Sequence, residues 1–269
     1  MTKNDNLSQQ IQNKRSNKYQ KKEIHGQLII IQDLSTADRE KLTDDLLVLC
    51  KGIFGNLTHK DVLHYITESG AEQTYLMKYL NNQDEFVGFF ALHLFKKRVQ
   101  NKDTLVFRAQ AGLLHNYRRS KANMYFSLFK VIKYRLKYPF KPIYCFITTL
   151  SPSMYCVLAE RLSIIYPKID QKISSKKKLS INELMKQFSF DKDPNGNQWV
   201  SPVGLTSVAS HDELDYWSCS DNPYIKYYLE LNPDFQKGNG LITLIPFSWE
   251  NIIRSSYKVM GYLLKKKLG

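Results

Sequence analysis

Between residues 73 and 114 the chain passes through three apolar stretches in quick succession: QTYLMKYL (73–80), FVGFFALHLFKKRV (86–99) and DTLVFRAQAGLL (103–114). So much branched and aromatic side chain fits a pleated, half-buried surface better than a helix, so a sheet is predicted. The polar NNQDE between the first two predicts a hairpin. The third stretch runs into HNYRRSKANMYF and then the spacing of NMYFSLFKVIKYRLKYP, which predicts an amphipathic helix over 123–138 ended by a proline.

The flanks extend this reading. LIIIQDL (28–34) predicts a strand. A helix follows with Ser35 as N-cap, apolar Leu42, Leu46, Leu49 and Ile53 at helical spacing, and Gly55 as its stop. THKDVLHYITESG repeats the pattern, with Thr58 capping, Val62, Leu63 and Ile66 facing inward, and Gly70 ending it. PIYCFITTL (142–150) reads as a strand and SPSMYCVLAERL (151–162) as a short helix. The order is β, α, α, β, β, β, α, β, α, a mixed α/β fold class.

Beyond Tyr166 the character changes. DQKISSKKKLS reads as a basic connector, INELMKQF as a short helix and DKDPNGNQW as a turn. Then come a helix at 224–231, a strand at 240–247 and a closing helix from Trp249. The expected organisation is a polar, disordered basic arm over 1–26, a main domain over 27–168, a basic linker with a short helix over 169–199, and a C-terminal α+β extension over 200–269 packed on the core. The extension is expected to add a strand and a lid.

The net charge of +14 across 269 residues favours anionic partners: nucleic acid, an anionic lipid surface, an acidic carrier protein or a polyphosphate cofactor. No apolar run approaches the roughly 20 residues of a membrane span, so no transmembrane segment is expected. The N-terminus has no apolar signal-like core. Cys50, Cys145, Cys156 and Cys219 form no CxxC pair, which reads as free thiols in a reducing compartment. The expected localisation is cytoplasmic.

The joint at 115–126 carries the most chemistry. At a helix start the first backbone N–H groups lack intrahelical partners, and the helix dipole is positive there. Arg118, Arg119 and Lys121 crowd that end, where cations oppose the dipole, and Ser120 adds a hydroxyl. A phosphate-bearing cofactor, another anion, or a solvated basic helix end would each account for them. His93 and His115 lie on or near the predicted strands, where an imidazole serves either as general base or as a hydrogen-bonded structural group.

Other motifs fall away. DKDPNGNQWVSP starts like a calcium loop, but Pro202 stands where the bidentate glutamate belongs, so a tight Asn-Gly turn is the reading. SHDEL (210–214) reads as a helix start capped by Ser210. No serine lies in a nucleophile elbow, and no metal site is expected.

The element order over 28–166, together with DEFVGFFAL (84–92) and HNYRRSKANMYF, resembles the GNAT superfamily of acyl-CoA-dependent N-acyltransferases. The resemblance implies a central, mostly antiparallel sheet flanked by helices, with two strands parting to seat a thioester. It implies acyl-CoA as donor, with an amine as acceptor. Arg118 fits the first position of the family's cofactor loop, while Lys121 and Asn123 stand where its small residues belong. The implied donor-binding set is therefore Arg118, Arg119, Ser120, Lys121, Ala122 and Asn123 at the phosphates, with Ala111, Gly112, Leu113 and Leu114 along the pantetheine arm. Ala159 occupies the place of the family's general-acid tyrosine, which leaves Tyr155, one turn earlier, as the substitute. His115 is the candidate base. An acyl-carrier protein docking on the basic surface is an alternative donor. The competing reading is a non-catalytic module of the same fold whose basic face holds nucleic acid or an anionic membrane.

Overall fold

A computed structural model of the chain describes residues 23–117, 122–191, 193 and 196–268, excluding the side chains of 122–125 and 262–268. Most of the expected arm, 1–22, and the loop residues 118–121 lie outside the described residues. The strands are β1 (His25–Ile30), β2 (Phe54–Gly55), β3 (Gln73–Leu80), β4 (Phe86–Val99), β5 (Lys102–Leu113), β6 (Ile143–Thr149), β7 (Val200–Pro202), β8 (Thr206–Ser207) and β9 (Asn239–Pro246). The helices are α1 (Thr36–Lys51), α2 (His59–Val62, continued by a π turn over Leu63–Thr67), α3 (Ala122–Lys137), α4 (Pro152–Arg161), α5 (Ser175–Gln187), α6 (His211–Ser218), α7 (Pro223–Leu231) and α8 (Trp249–Leu268).

The expected caps hold these helices. Ser35 accepts from Asp38 N, and Thr58 and Ser210 each form a capping box, with Asp61 and Glu213 respectively. Each satisfies backbone donors that a helix start leaves orphaned. Three boundaries differ from the sequence reading. β1 starts at His25, inside the stretch read as an arm, because its backbone pairs with β3 from His25↔Leu80 onward. α1 stops at Lys51 rather than at Gly55, because Ile53 turns into the core and Phe54 and Gly55 pair with β8. α5 starts six residues before Ile181, the expected start of the short helix, inside the run read as a linker. Ser174 caps it by accepting from Lys177 N, and Ile181 and Leu184 bury its inner face.

Seven strands form one sheet in the order β1-β3-β4-β5-β6-β9-β7; β2 and β8 pair separately. Every pairing in the large sheet is antiparallel except β5–β6. The result is the expected mixed α/β architecture, a mostly antiparallel sheet flanked by helices. Side chains alternate across the sheet. Leu105, Phe107 and Leu113 of β5 pack with Phe126 and Tyr134 of α3 and Leu158 of α4. The opposite face holds Leu76, Phe89 and Ala91 against α1, and Val106 and Phe146 against α5. β9 lies between β6 and β7, with Leu241, Ile242 and Leu244 fully buried. The C-terminal segment thus supplies an interior strand.

Candidate active site

The sheet opens at its one parallel pairing. β5 and β6 pair only at Leu105↔Ile143, Val106↔Tyr144 and Phe107↔Cys145, although β5 continues to Leu113 and β6 to Thr149. The directions of the backbone groups follow from strand alternation. Leu114 N–H donates to Val87 O of β4 (3.0 Å) and Leu105 N–H to Pro142 O (3.0 Å), so even-numbered β5 residues face β4 and odd-numbered ones face β6. Ala109 and Ala111 therefore aim their N–H and C=O groups at the gap, past the last rung of the ladder. The β4–β5 register is unbroken from Gly88↔Leu113 to Val99↔Lys102, so the opening comes from β6 turning away.

This sorts the strand residues expected to line a pantetheine arm. Ala111 and Leu113 face the gap, while Gly112 and Leu114 face β4. Gly112 sits at no bulge. A side chain there would meet Ile53 (3.0 Å) and Phe89 (3.1 Å), so close packing against the end of α1 accounts for the glycine. Ala122 and Asn123 form the first residues of α3, which begins beyond the open end of β5. Arg118, Arg119, Ser120 and Lys121 fall outside the described residues.

The two expected catalytic residues differ in placement. His115 opens a short 3-10 turn just after β5, half-exposed, with Nδ1 3.8 Å from Oε2 of Glu213, the capping-box residue of α6. Tyr155 is a correction to the sequence reading. It is fully buried on α4 among Tyr227 and Tyr228, and its hydroxyl donates to Pro167 O (2.9 Å). Burial first, then the neighbouring Tyr227, raises its pKa far above the usual phenol range. A hydroxyl so placed is a core tyrosine's, because the helical spacing that puts Tyr155 and Ala159 on one face points that face into packed side chains.

The sheet face opposite α3 carries a polar group that the sequence reading singled out only in part. His93 of β4 lies directly across from Arg108 of β5. Its Nδ1 meets the hydroxyls of Thr74 (2.8 Å) and Ser69 (3.0 Å), while Nε2 is sealed from water. Two hydroxyls at one nitrogen favour the neutral ring with its proton on Nε2. Burial, reinforced by the Arg108 charge, lowers its pKa to about 3, and a side-chain hydrogen bond to Gln110 opposes that fall. His93 is thus held by its surroundings as a neutral structural histidine. Arg108 projects between the rings of Phe188 and Phe190, at 4.8 and 5.0 Å from their centroids. An arginine amid LVFRAQAGLL was a signal in plain view, masked by the apolar residues around it.

The calcium-like stretch is a turn: Gly196 N–H donates to Asp193 O (2.9 Å) and Asn197 N–H to Asp193 Oδ2 (3.1 Å). Among the described residues there is no cluster of His, Cys, Asp or Glu able to hold a metal. Nor is any described helix long and apolar enough to cross a membrane.

No family model matches the sequence, and no curated protein matches it. Among solved structures the chain is similar to ElaA of Escherichia coli, at 13% identity over 57% of this chain and 95% of that one, TM-score 0.30. It is similar to an acetyltransferase of Trypanosoma brucei, at 11% identity over 56% and 99% of the two chains, TM-score 0.34. An aminoglycoside acetyltransferase solved with coenzyme A and kanamycin matches at 10% identity over 84% and 95%, TM-score 0.30. At such scores the similarity assigns no activity. The fold is described by the chain's own element order and mostly antiparallel sheet.

Proposed function

We propose that the chain is an acyltransferase that moves an acyl group from the thioester of acyl-CoA, or of an acyl-carrier protein, to an amine. One observation carries the reading: the β5–β6 ladder stops at Phe107↔Cys145 while both strands continue. The backbone groups of Ala109 and Ala111 are left facing a gap, and an extended arm with amide groups is what such an edge pairs with. The residues present fit such a donor. Its phosphates would lie beyond Leu113, near Arg118, Arg119, Ser120 and Lys121 and the first amides of α3 at Ala122 and Asn123.

In the transfer, the carbon–nitrogen bond forms as the carbon–sulfur bond breaks. His115, oriented by Glu213, takes the amine's proton directly or through water. The departing thiolate takes its proton from solvent, since the Tyr155 hydroxyl is committed to Pro167.

Titration calorimetry with acetyl-CoA, longer acyl-CoAs and acyl-carrier protein tests the proposal, alongside the double substitution Arg118→Glu, Arg119→Glu. We expect saturable, selective binding of one donor class that survives moderate salt and is abolished in the double variant. Equal binding of nucleic acid and anionic vesicles, fading steeply with salt, would instead mark a non-catalytic basic surface. Failure of every donor to bind would sink the proposal.

A further inference from the structure

We infer that the amine acceptor carries a carboxylate beside its amine, as an amino acid does, and that the Arg108 guanidinium binds it where the sheet parts. This rests on the acyltransferase reading above.

The position comes first. Arg108 is the residue immediately after the last β5–β6 rung, at the closed end of the opening. A thioester arm lying along β5 from a phosphate site beyond Leu113 would reach about 13 Å to Ala109, at the usual strand rise. Its reactive end would then stop beside Arg108.

The state of the side chain comes second. Among the described residues no carboxylate pairs with Arg108 and no group accepts from it; its Nε is sealed from water and unpartnered. Its pKa is lowered to about 10, chiefly by burial, with Tyr65 and Cys145 opposing. A half-buried cation with one nitrogen sealed and unpaired is costly to hold, because leaving water uncompensated is expensive. The planar guanidinium is preorganised instead. Ser189, in the left-handed region at φ 53°, turns the chain so that Phe188 and Phe190 flank it. Phe190 N–H donates to Met185 O (2.9 Å), which ties that turn to the end of α5. A fork of donors lying against two rings, with no acceptor for it among the described residues, matches a carboxylate in bidentate fashion.

The neighbours sharpen the choice. Gln110, two residues along on the same face, is committed to the His93 ring by a side-chain hydrogen bond, which leaves the guanidinium to meet the ligand's charge. Surface lysines would attract any anion, whereas a walled guanidinium selects one attached to the right frame.

The test pairs amino acids with their decarboxylated counterparts: phenylalanine with phenethylamine, lysine with cadaverine and serine with ethanolamine. Phosphoethanolamine serves as the phosphate arm, acetyl-CoA and longer acyl-CoAs as donors, and released thiol as the readout. For the wild-type chain we expect kcat/KM for at least one amino acid to exceed that of its counterpart by roughly 100-fold, as when a donor is left without its partner. Arg108→Met should erase that preference by lowering the amino-acid value alone, and Arg108→Lys should restore it in part. Donor binding by calorimetry should stay unchanged in both variants, and both should still unfold cooperatively, Arg108→Met at a higher midpoint because the cost of the unpaired charge is gone. If donors bind and amines are acylated with no preference for the carboxylate, the inference fails and the acyltransferase reading stands. A preference for phosphoethanolamine would also overturn it. If no donor binds, both fall.

Discussion

At the residue scale, the protein places polar groups inside its sheet and fixes their charge by burial. His93 is the clearest case. Its ordinary pKa of 6.5 falls to about 3 in the fold, so the folded ring binds fewer protons than the unfolded one between those values. Stability is therefore full above about pH 6.5 and is lost as pH falls, by about 1.4 kcal/mol per pH unit from this residue. We expect His93→Gln to remove roughly that slope from a plot of urea-unfolding free energy against pH between 6.5 and 4. An unchanged slope would mean that the ring is already protonated in the fold. The same environment sets the cost of Arg108, the strand's other polar anomaly. Neither behaviour is legible from the sequence. A histidine and an arginine in apolar runs signal something unusual, but only the β4–β5 register brings the two side by side.

At the element scale, the helices were legible because capping is local chemistry. Ser35, Thr58 and Ser210 act as caps where the sequence placed them. What the sequence concealed is how the closing helix is fastened. Asn251 of α8 is 2% exposed, and its Oδ1 accepts from Ile164 N–H (2.8 Å). Its Nδ2 donates to Ile164 O (2.7 Å) and Pro246 O (2.8 Å). One amide thus ties α8 to the end of β9 and to the segment after α4, contacts 5 and 87 residues away. Asn251→Ala leaves those backbone groups buried without partners, at a cost of about 3 kcal/mol. Chemical denaturation would read that as a lower midpoint at constant slope. A loss under about 1 kcal/mol would show that water replaces the amide. Such a clamp leaves no periodic trace, since an asparagine near a helix start reads as an ordinary polar residue.

At the scale of the whole molecule, the sheet divides the labour. On one side of β5 the ladder to β4 is continuous and holds the core. On the other, three rungs fix the angle between β5 and β6 before the strands part. β9 holds the far side of β6, pairing from Tyr144↔Pro246 to Thr149↔Leu241, so the opening depends on a strand from the last 70 residues or so. We expect a chain ended at residue 199 to show no cooperative unfolding by circular dichroism, because β6 would present Phe146 and Ile147 on a bare edge. A fragment with a sharp transition would make the last segment an accessory rather than part of the sheet.

The sequence by itself determined the alphabet of this fold. Apolar periodicity and capping residues are short-range properties, so they marked nearly every strand and helix from β3 to α4 within a residue or two. It also indicated a basic joint between β5 and α3, since the clustered cations lie within four residues of one another. The tertiary structure alone decided which strands part, that β9 inserts beside β6, that Tyr155 is sealed in the core, and that Arg108 meets no counter-charge among the described residues. Each of these depends on residues far apart in the chain meeting at one place. Burial and pairing are properties of that meeting, and no local pattern of side chains encodes them.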